Sequence, residues 1–474
     1  MPGHPARLAV LLCLLFLAAC QRLASPESSG ELVVAIRAGP SSYEVDDKGG
    51  SSGFERDLVQ AFAQSLGYRV RFVVANDQAE LYELLDEGHV HFAASAWEHD
   101  VPHIRYTSPI RESDPVVVSR GDDLTLGEDP SVLTGHTVGA MIASPQLEAL
   151  RKLAGEPPRF SLQPHAGAEY DLLQAVADNK LDFASTDRLQ YRLALQFLPD
   201  LQVAFTLPGR IRFGWAFREG DDKLRMQADR FIADIRRGGL LARLQDRYFG
   251  HIDRIKPEGI TELLDDIQTL LPRFRKFFQD AQEITGLDWR LLAAVAYQES
   301  KWDPLATSPT GVRGIMMLTE DTADHLHVSN RLDPRQSILA GAKYLADLRN
   351  LLPLTVKEPD RTWFALAAYN LGMGHFNGGR AIAVGLKRDA DSWFEMKKVL
   401  PLMARPEYYA RLKSGRARGG EAVIMVENIR TYFSIISRFT PPWRPDYQLV
   451  RSTPSSPHGL RQKHGKPPKL GGIS

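Results

Sequence analysis

The chain has 474 residues, enough for about three compact units at ordinary domain sizes. Lysine plus arginine and aspartate plus glutamate each number 58, so the balanced charge gives no ground for a nucleic-acid partner. A hydrophobic share of 43% is ordinary for globular domains, and two cysteines, Cys13 and Cys20, exclude a disulfide framework.

The N-terminus reads as an export signal over residues 1–19. Arg7 supplies the positive start, and Leu8 to Ala18 is an unbroken apolar run too short to span a bilayer as an ordinary helix. It ends in Leu17-Ala18-Ala19-Cys20, which resembles a bacterial lipoprotein cleavage box. That resemblance implies lipidation of Cys20, which would anchor the chain without spanning. Gln21 rather than aspartate follows the cysteine, which by the usual sorting pattern implies the periplasmic face of the outer membrane. Residues 20–30, polar and Ser-rich, are expected to be a lipidated tether.

From Glu31 strands and helices alternate. Strands are predicted at Leu32–Ile36, Val70–Val74 and Phe92–Ser95, and helices at Phe54–Leu66 and Leu81–Glu87. A second run has strands at Thr137–Gly139 and Phe183–Ser185 and helices at Tyr170–Ala177 and Lys223–Ile235. The alternation predicts a largely parallel sheet.

Residues 31–250 resemble the bacterial periplasmic solute-binding proteins of the amino-acid type. The pieces that carry the likeness are Gly53-Phe54-Glu55-Arg56-Asp57-Leu58, Tyr106-Thr107-Ser108-Pro109, Lys180-Leu181-Asp182-Phe183, Gly238-Gly239-Leu240-Leu241 and Tyr248-Phe249-Gly250. The resemblance implies two α/β lobes joined by a hinge, with crossings near Pro115–Ser119 and Gly209–Gly214. It also implies a non-catalytic, ligand-binding role. The family's carboxylate-gripping arginine falls at Asp100, while Asp187 matches its amine-binding acid. A cationic or peptide-like ligand, such as a muropeptide or an amino-acid-like molecule, is therefore expected rather than a free amino acid.

Residues 251–268 read as a charged connector, 269–445 as a mainly α-helical unit, and 446–474, rich in Pro, Gly, Ser and Lys, as a disordered tail. In the helical unit Asp288 is a good N-cap, and Leu291, Leu292, Val295 and Ala296 recur on one face. The helix closes on Tyr297-Gln298-Glu299-Ser300, which places the Glu299 carboxyl where water is scarce and the neutral, proton-donating form is favoured. Two further stations follow, Gly311-Val312-Arg313-Gly314-Ile315-Met316-Met317-Leu318-Thr319 and Ala367-Ala368-Tyr369-Asn370. With Ala340-Gly341-Ala342-Lys343-Tyr344-Leu345 and Glu421-Ala422-Val423, they resemble the goose-type lysozyme and soluble lytic transglycosylase family. The fold expected is thus a two-lobed α/β periplasmic-binding-protein-like domain followed by an α-helical lysozyme-like domain.

The resemblance implies a lyase acting on peptidoglycan without hydrolysis and without cofactor. Glu299 would protonate the leaving oxygen, and the muramic acid C6 hydroxyl would attack its own C1. Ser300 would bind the acetamido group or the Glu299 carboxyl, and Tyr369 would hold Glu299 in place. Gly314 would let backbone approach the sugar, Met316 and Met317 would form an apolar wall, and Tyr344 and Asn370 would contact substrate. Many family members have glutamine where Met317 stands. His89, His91, His99 and His103 read as surface or packing residues rather than a metal site, Asp303 as a turn residue, and Glu427 as a buried structural partner. The fusion of the two modules raises the expectation that a wall fragment bound in front regulates the cleft behind.

Overall fold

The computed structural model describes residues 23–39, 42–45, 49–121 and 129–444. The signal, Cys20 and the tail beyond residue 444 lie outside the described residues. The front half is built on two sheets. In the first, the strands run in the order Arg69–Ala75, Glu31–Arg37, Phe92–Trp97, Ile211–Arg218 and Ile104–Tyr106, with Arg111–Ser113 also on Ile211–Arg218. In the second the order is Ser161–His165, Thr137–Met141, Phe183–Asp187, Pro115–Arg120 and Leu201–Thr206. Leu32 to Ile36 are buried without a break, as a strand covered on both faces requires.

The sheets are mixed rather than largely parallel. Glu31–Arg37 pairs in parallel with both of its neighbours, but Ile211–Arg218 and Pro115–Arg120 run antiparallel to theirs. These two strands follow the lobe crossings, so each enters its sheet from the hinge side. The crossings are narrower than expected: Asp114 on the way out, and residues 207–210 on the way back. The Asp114 carboxylate joins the two segments, lying 3.3 Å from Arg188 and 3.1 Å from Arg210.

The tether reading fails from Leu23 onward. Residues Pro26–Ser29 form a short helix, Glu27 pairs with Lys223 at 2.9 Å, and the His91 ring lies 3.0 Å from the Ala24 carbonyl oxygen. The connector is also more than a connector. Pro257 starts a helix, Pro257–Thr269, whose Ile260, Leu263 and Ile267 are buried against the helical unit.

At the centre of the rear unit lies Trp289–Ser300, packed on helices Leu271–Thr285, Pro334–Leu351 and Gly419–Phe439. Asp288 caps it, accepting from the Arg290 N–H at 2.9 Å. Sequence spacing marks one apolar face, yet Leu291 through Tyr297 are all buried, because Ala293, Ala294 and Ala296 let neighbours close in on the remaining sides.

A buried polar network joins front and rear. Arg430 donates to the Arg247 carbonyl at 2.6 Å and to Glu427 at 2.8 Å, while Trp393 donates to Glu427 at 2.7 Å. Lys397 bridges Asp246 and Glu427, and Thr431 donates to the His251 carbonyl at 2.7 Å. Burial alone would raise the Glu427 carboxyl, but Arg430 and Lys397 bring it below its ordinary value. Glu427→Ala leaves the buried Arg430 without its acid, while Lys397 keeps Asp246, and is expected to cost about 3 kcal/mol in denaturant unfolding. The exposed Glu421→Ala is expected to cost less than about 1 kcal/mol.

Candidate active site

The helix that carries Glu299 stops abruptly. Lys301 and Trp302 both have positive φ, 51° and 61°, which turns the chain back on itself. Trp302 folds onto the helix, its indole donating to the Ala293 carbonyl at 2.8 Å and its ring meeting Tyr297 edge-on at 4.7 Å. Glu299 and Ser300 therefore stand at a fixed end. Burial pushes the Glu299 carboxyl up to about 7, and no neighbouring charge contributes to that shift. Among the described residues no side chain hydrogen-bonds or ion-pairs with it. A carboxyl in this state is half protonated near neutrality and can donate a proton and take one back.

The second station is a tight turn beside that end. Arg313 and Leu318 exchange backbone hydrogen bonds at 3.1 and 2.9 Å, with Gly314 and Met317 at positive φ between them. The turn is gripped by its carbonyls. Ser300 donates to the Ile315 oxygen at 2.9 Å, and Tyr369, on helix Asp360–Leu371, donates to the Met316 oxygen at 2.8 Å. Two expectations are thereby corrected: neither Ser300 nor Tyr369 bonds Glu299, because each hydroxyl is taken by a backbone acceptor. Tyr369 nevertheless lies within the field of Glu299. Its hydroxyl is raised well above the usual range by burial, then by the Glu299 charge and Tyr344. The Tyr344 ring lies 5.5 Å from that of Tyr369.

Gly314 serves the protein rather than a ligand. A Cβ there would sit 1.9 Å from the Arg331 carbonyl oxygen and 3.1 Å from the Ser337 hydroxyl. Met316 is wholly buried rather than a cleft wall, its side chain filling the space that a Cβ on Gly341 would claim. Met317 is half-buried, and Asn370 is exposed. The structure thus brings Glu299, Ser300, Gly314, Met316, Met317, Tyr344 and Tyr369 into one constellation, with Asn370 at its rim. Sequence reading missed Ser337, which accepts from the Met316 N–H at 3.3 Å, and Arg331, which donates to the Gly311 and Leu318 carbonyls at 3.0 and 3.1 Å. Their partners are backbone atoms, which leave no sequence signal.

In the front module Asp187 is fully buried and caps the helix Arg188–Leu195, accepting from Leu189 N–H at 2.9 Å. Its Oδ1 also meets Arg111 of the other lobe at 3.3 Å, while its Oδ2 is buried with no hydrogen-bond partner. Arg37 similarly reaches Glu169, at 3.7 Å. Burial pushes the Glu55 carboxyl up to about 7, against the hydrogen bond from Trp215 and the charges of Arg111 and Arg37. Asp100 is exposed. Arg37, Glu55, Arg111 and Glu169 escaped sequence reading, although Glu55 stands in a quoted motif.

The remaining candidates are structural. His91 accepts from the Val33 N–H at 2.9 Å, and His103 faces Glu219 at 3.3 Å. Asp303 accepts from the Leu305 N–H at 2.9 Å, closing a turn. No group of three or more His, Cys, Asp or Glu among the described residues is placed to hold a metal.

Because its Cβ has no room and its φ is +81°, Gly314→Ala is expected to lower stability by at least about 2 kcal/mol. Denaturant unfolding with activity measured alongside checks this, and a variant of wild-type stability would remove the packing role.

Residues 276–388 match the family described as Transglycosylase SLT domain, and residues 32–251 match Bacterial extracellular solute-binding proteins, family 3. Proteins named membrane-bound lytic murein transglycosylase F are similar over most of their length. The one from Methylobacillus flagellatus is 40% identical over 92% of this chain and 95% of its own. That from Nitrosospira multiformis is 38% identical over 94% of each. That from Thiobacillus denitrificans is 39% identical over 96% of this chain and 98% of its own. With a two-lobed solute-binding fold in front and a helical transglycosylase fold behind, matched over nearly the whole chain, this protein belongs to the membrane-bound lytic murein transglycosylase F family.

Proposed function

We propose that the chain cleaves the β-1,4 bond between N-acetylmuramic acid and N-acetylglucosamine in murein, with Glu299 as its one catalytic carboxyl. Glu299 donates its proton to the glycosidic oxygen as the C1–O bond breaks. The muramic C6 hydroxyl attacks C1, and the Glu299 carboxylate accepts the proton that O6 loses. The product is a 1,6-anhydromuramic end, and no water is consumed. The observation that carries this reading is that burial alone raises Glu299. Among the described residues no carboxylate or cation pairs with it, which fits a reaction whose nucleophile is the sugar's own hydroxyl.

Ser300 and Tyr369 act through the turn they hold, as positioning residues. Tyr344, Met317 and Asn370 remain free to meet substrate. Cys20 would carry the lipid that holds the chain at the outer membrane's periplasmic face. No helix among the described residues is long and apolar enough to cross a membrane. The front module would bind a muropeptide or amino-acid-like ligand that regulates the rear cleft.

Digestion of purified murein, read by mass spectrometry, is expected to release muropeptides with anhydro ends. Free reducing ends alone would identify a hydrolase instead. Glu299→Gln is expected to lose at least about 10²-fold in turnover. Because the proton-bearing form is needed, turnover should fall as pH rises through about 7. A flat profile from pH 6 to about 9 would exclude Glu299 as the acid.

The same shift bears on stability. A carboxyl raised in the folded state costs nothing below its unfolded pKa and progressively more until pH passes the folded value. Glu299→Gln should therefore be more stable than wild type at pH 8, by up to about 3 kcal/mol, with the gap closing toward pH 4. Thermal unfolding at the two pH values measures it.

A further inference from the structure

The cleft between the front lobes contains two arginines, both from lobe one, and each is paired with an acid from lobe two. Arg111, at the start of strand Arg111–Ser113, reaches Asp187, and Arg37, at the end of Glu31–Arg37, reaches Glu169. All four side chains are nearly removed from solvent, with 13% of each arginine and at most 6% of each acid exposed. Lobe one holds its cations on aromatic faces. The Arg111 guanidinium lies 3.3 Å from the centre of the Phe213 ring, and that of Arg37 lies 4.7 Å from Trp97. Lobe two holds its acids as firmly. Asp187 caps a helix, and Glu169 accepts from the Thr186 hydroxyl at 3.2 Å. Both halves of each pair are thus preorganised, and each pair exists only while the lobes are together.

We propose that these two ion pairs close the front module on itself. The protein's own arginines take the place that the cationic group of a ligand would occupy, so closure requires no ligand. Opening the lobes would separate each arginine from its carboxylate while returning all four groups to water, so closure holds because attraction between preorganised partners outweighs their desolvation. A free amino acid bringing an amine to Asp187 must compete for Oδ1 with Arg111, which is tethered there at an effective concentration of about millimolar or more, and is left only Oδ2, which has no hydrogen-bond partner. Such a ligand is expected to bind weakly, in contrast to a binding protein whose acid waits unpaired. This inference goes beyond ligand binding by the module and does not involve Glu299, so its failure leaves the catalytic assignment untouched.

Pulsed dipolar spectroscopy on the full chain tests it. Nitroxides are placed at Glu83→Cys in lobe one and Lys152→Cys in lobe two, both exposed, with Cys13 and Cys20 replaced by serine. The protein is refolded from denaturant to strip bound molecules. A single short, narrow distance is expected without ligand, unchanged by millimolar L-arginine or L-alanine. Arg37→Ala with Arg111→Ala should lengthen and broaden the distribution, methylguanidinium should restore it, and Arg37→Lys with Arg111→Lys should remain short. A long, broad distribution in the unliganded wild type that contracts on adding L-arginine would overturn the proposal. So would an alanine pair that folds and stays closed. If the alanine pair does not fold, the wild-type distances alone decide.

Discussion

The dryness of one carboxyl organises the rear half of this protein. Among the described residues Glu299 has no cation to hold its charge and no side-chain donor to share it, and burial raises its carboxyl. That arrangement is costly for folding, and the neighbouring structure makes it possible. Helix Trp289–Ser300 is buried on nearly every side, Trp302 folds back to seal its end, and the Arg313–Leu318 turn packs alongside. A carboxyl that would act as acid without a partner needs no second residue held to sub-ångström precision. This suits a reaction in which the sugar supplies the nucleophile.

The front half uses charge in the opposite way. Where Glu299 is left alone, the cleft between the lobes sets buried arginines of one lobe against buried acids of the other. A third buried charged group, around Glu427 and Arg430, joins the last helix of the front module to the last helix of the rear one. Arg430 bonds successive carbonyls, those of Asp246 and Arg247, at the point where the front module's final helix ends. The two modules are therefore joined through backbone as well as through side chains.

Much of this was legible in the sequence, for reasons visible residue by residue. Helix Phe54–Leu66 was found to its ends because its apolar spacing is regular and Gly53 and Gly67 bracket it. Glu299 stood out because Asp288 marks the start of its helix and the apolar positions lead to its end. The mixed sheets were not legible. Val116–Val118 and Phe213–Phe217 are as apolar as the parallel strands, and direction leaves no mark on composition. Nor were the partners of Ser300 and Tyr369, because a carbonyl oxygen is present at every position. The lobe-crossing ion pairs depend on residues far apart in the chain, brought opposite one another only by the hinge.

The turn next to the acid is held by what all amino acids share. Ser300 and Tyr369 seize the oxygens of Ile315 and Met316, and Arg331 seizes those of Gly311 and Leu318. None of these grips reads a side chain. Position 317, half-buried and at positive φ near the end of the turn, takes part in none of these grips. A different side chain there would leave every one of these bonds in place.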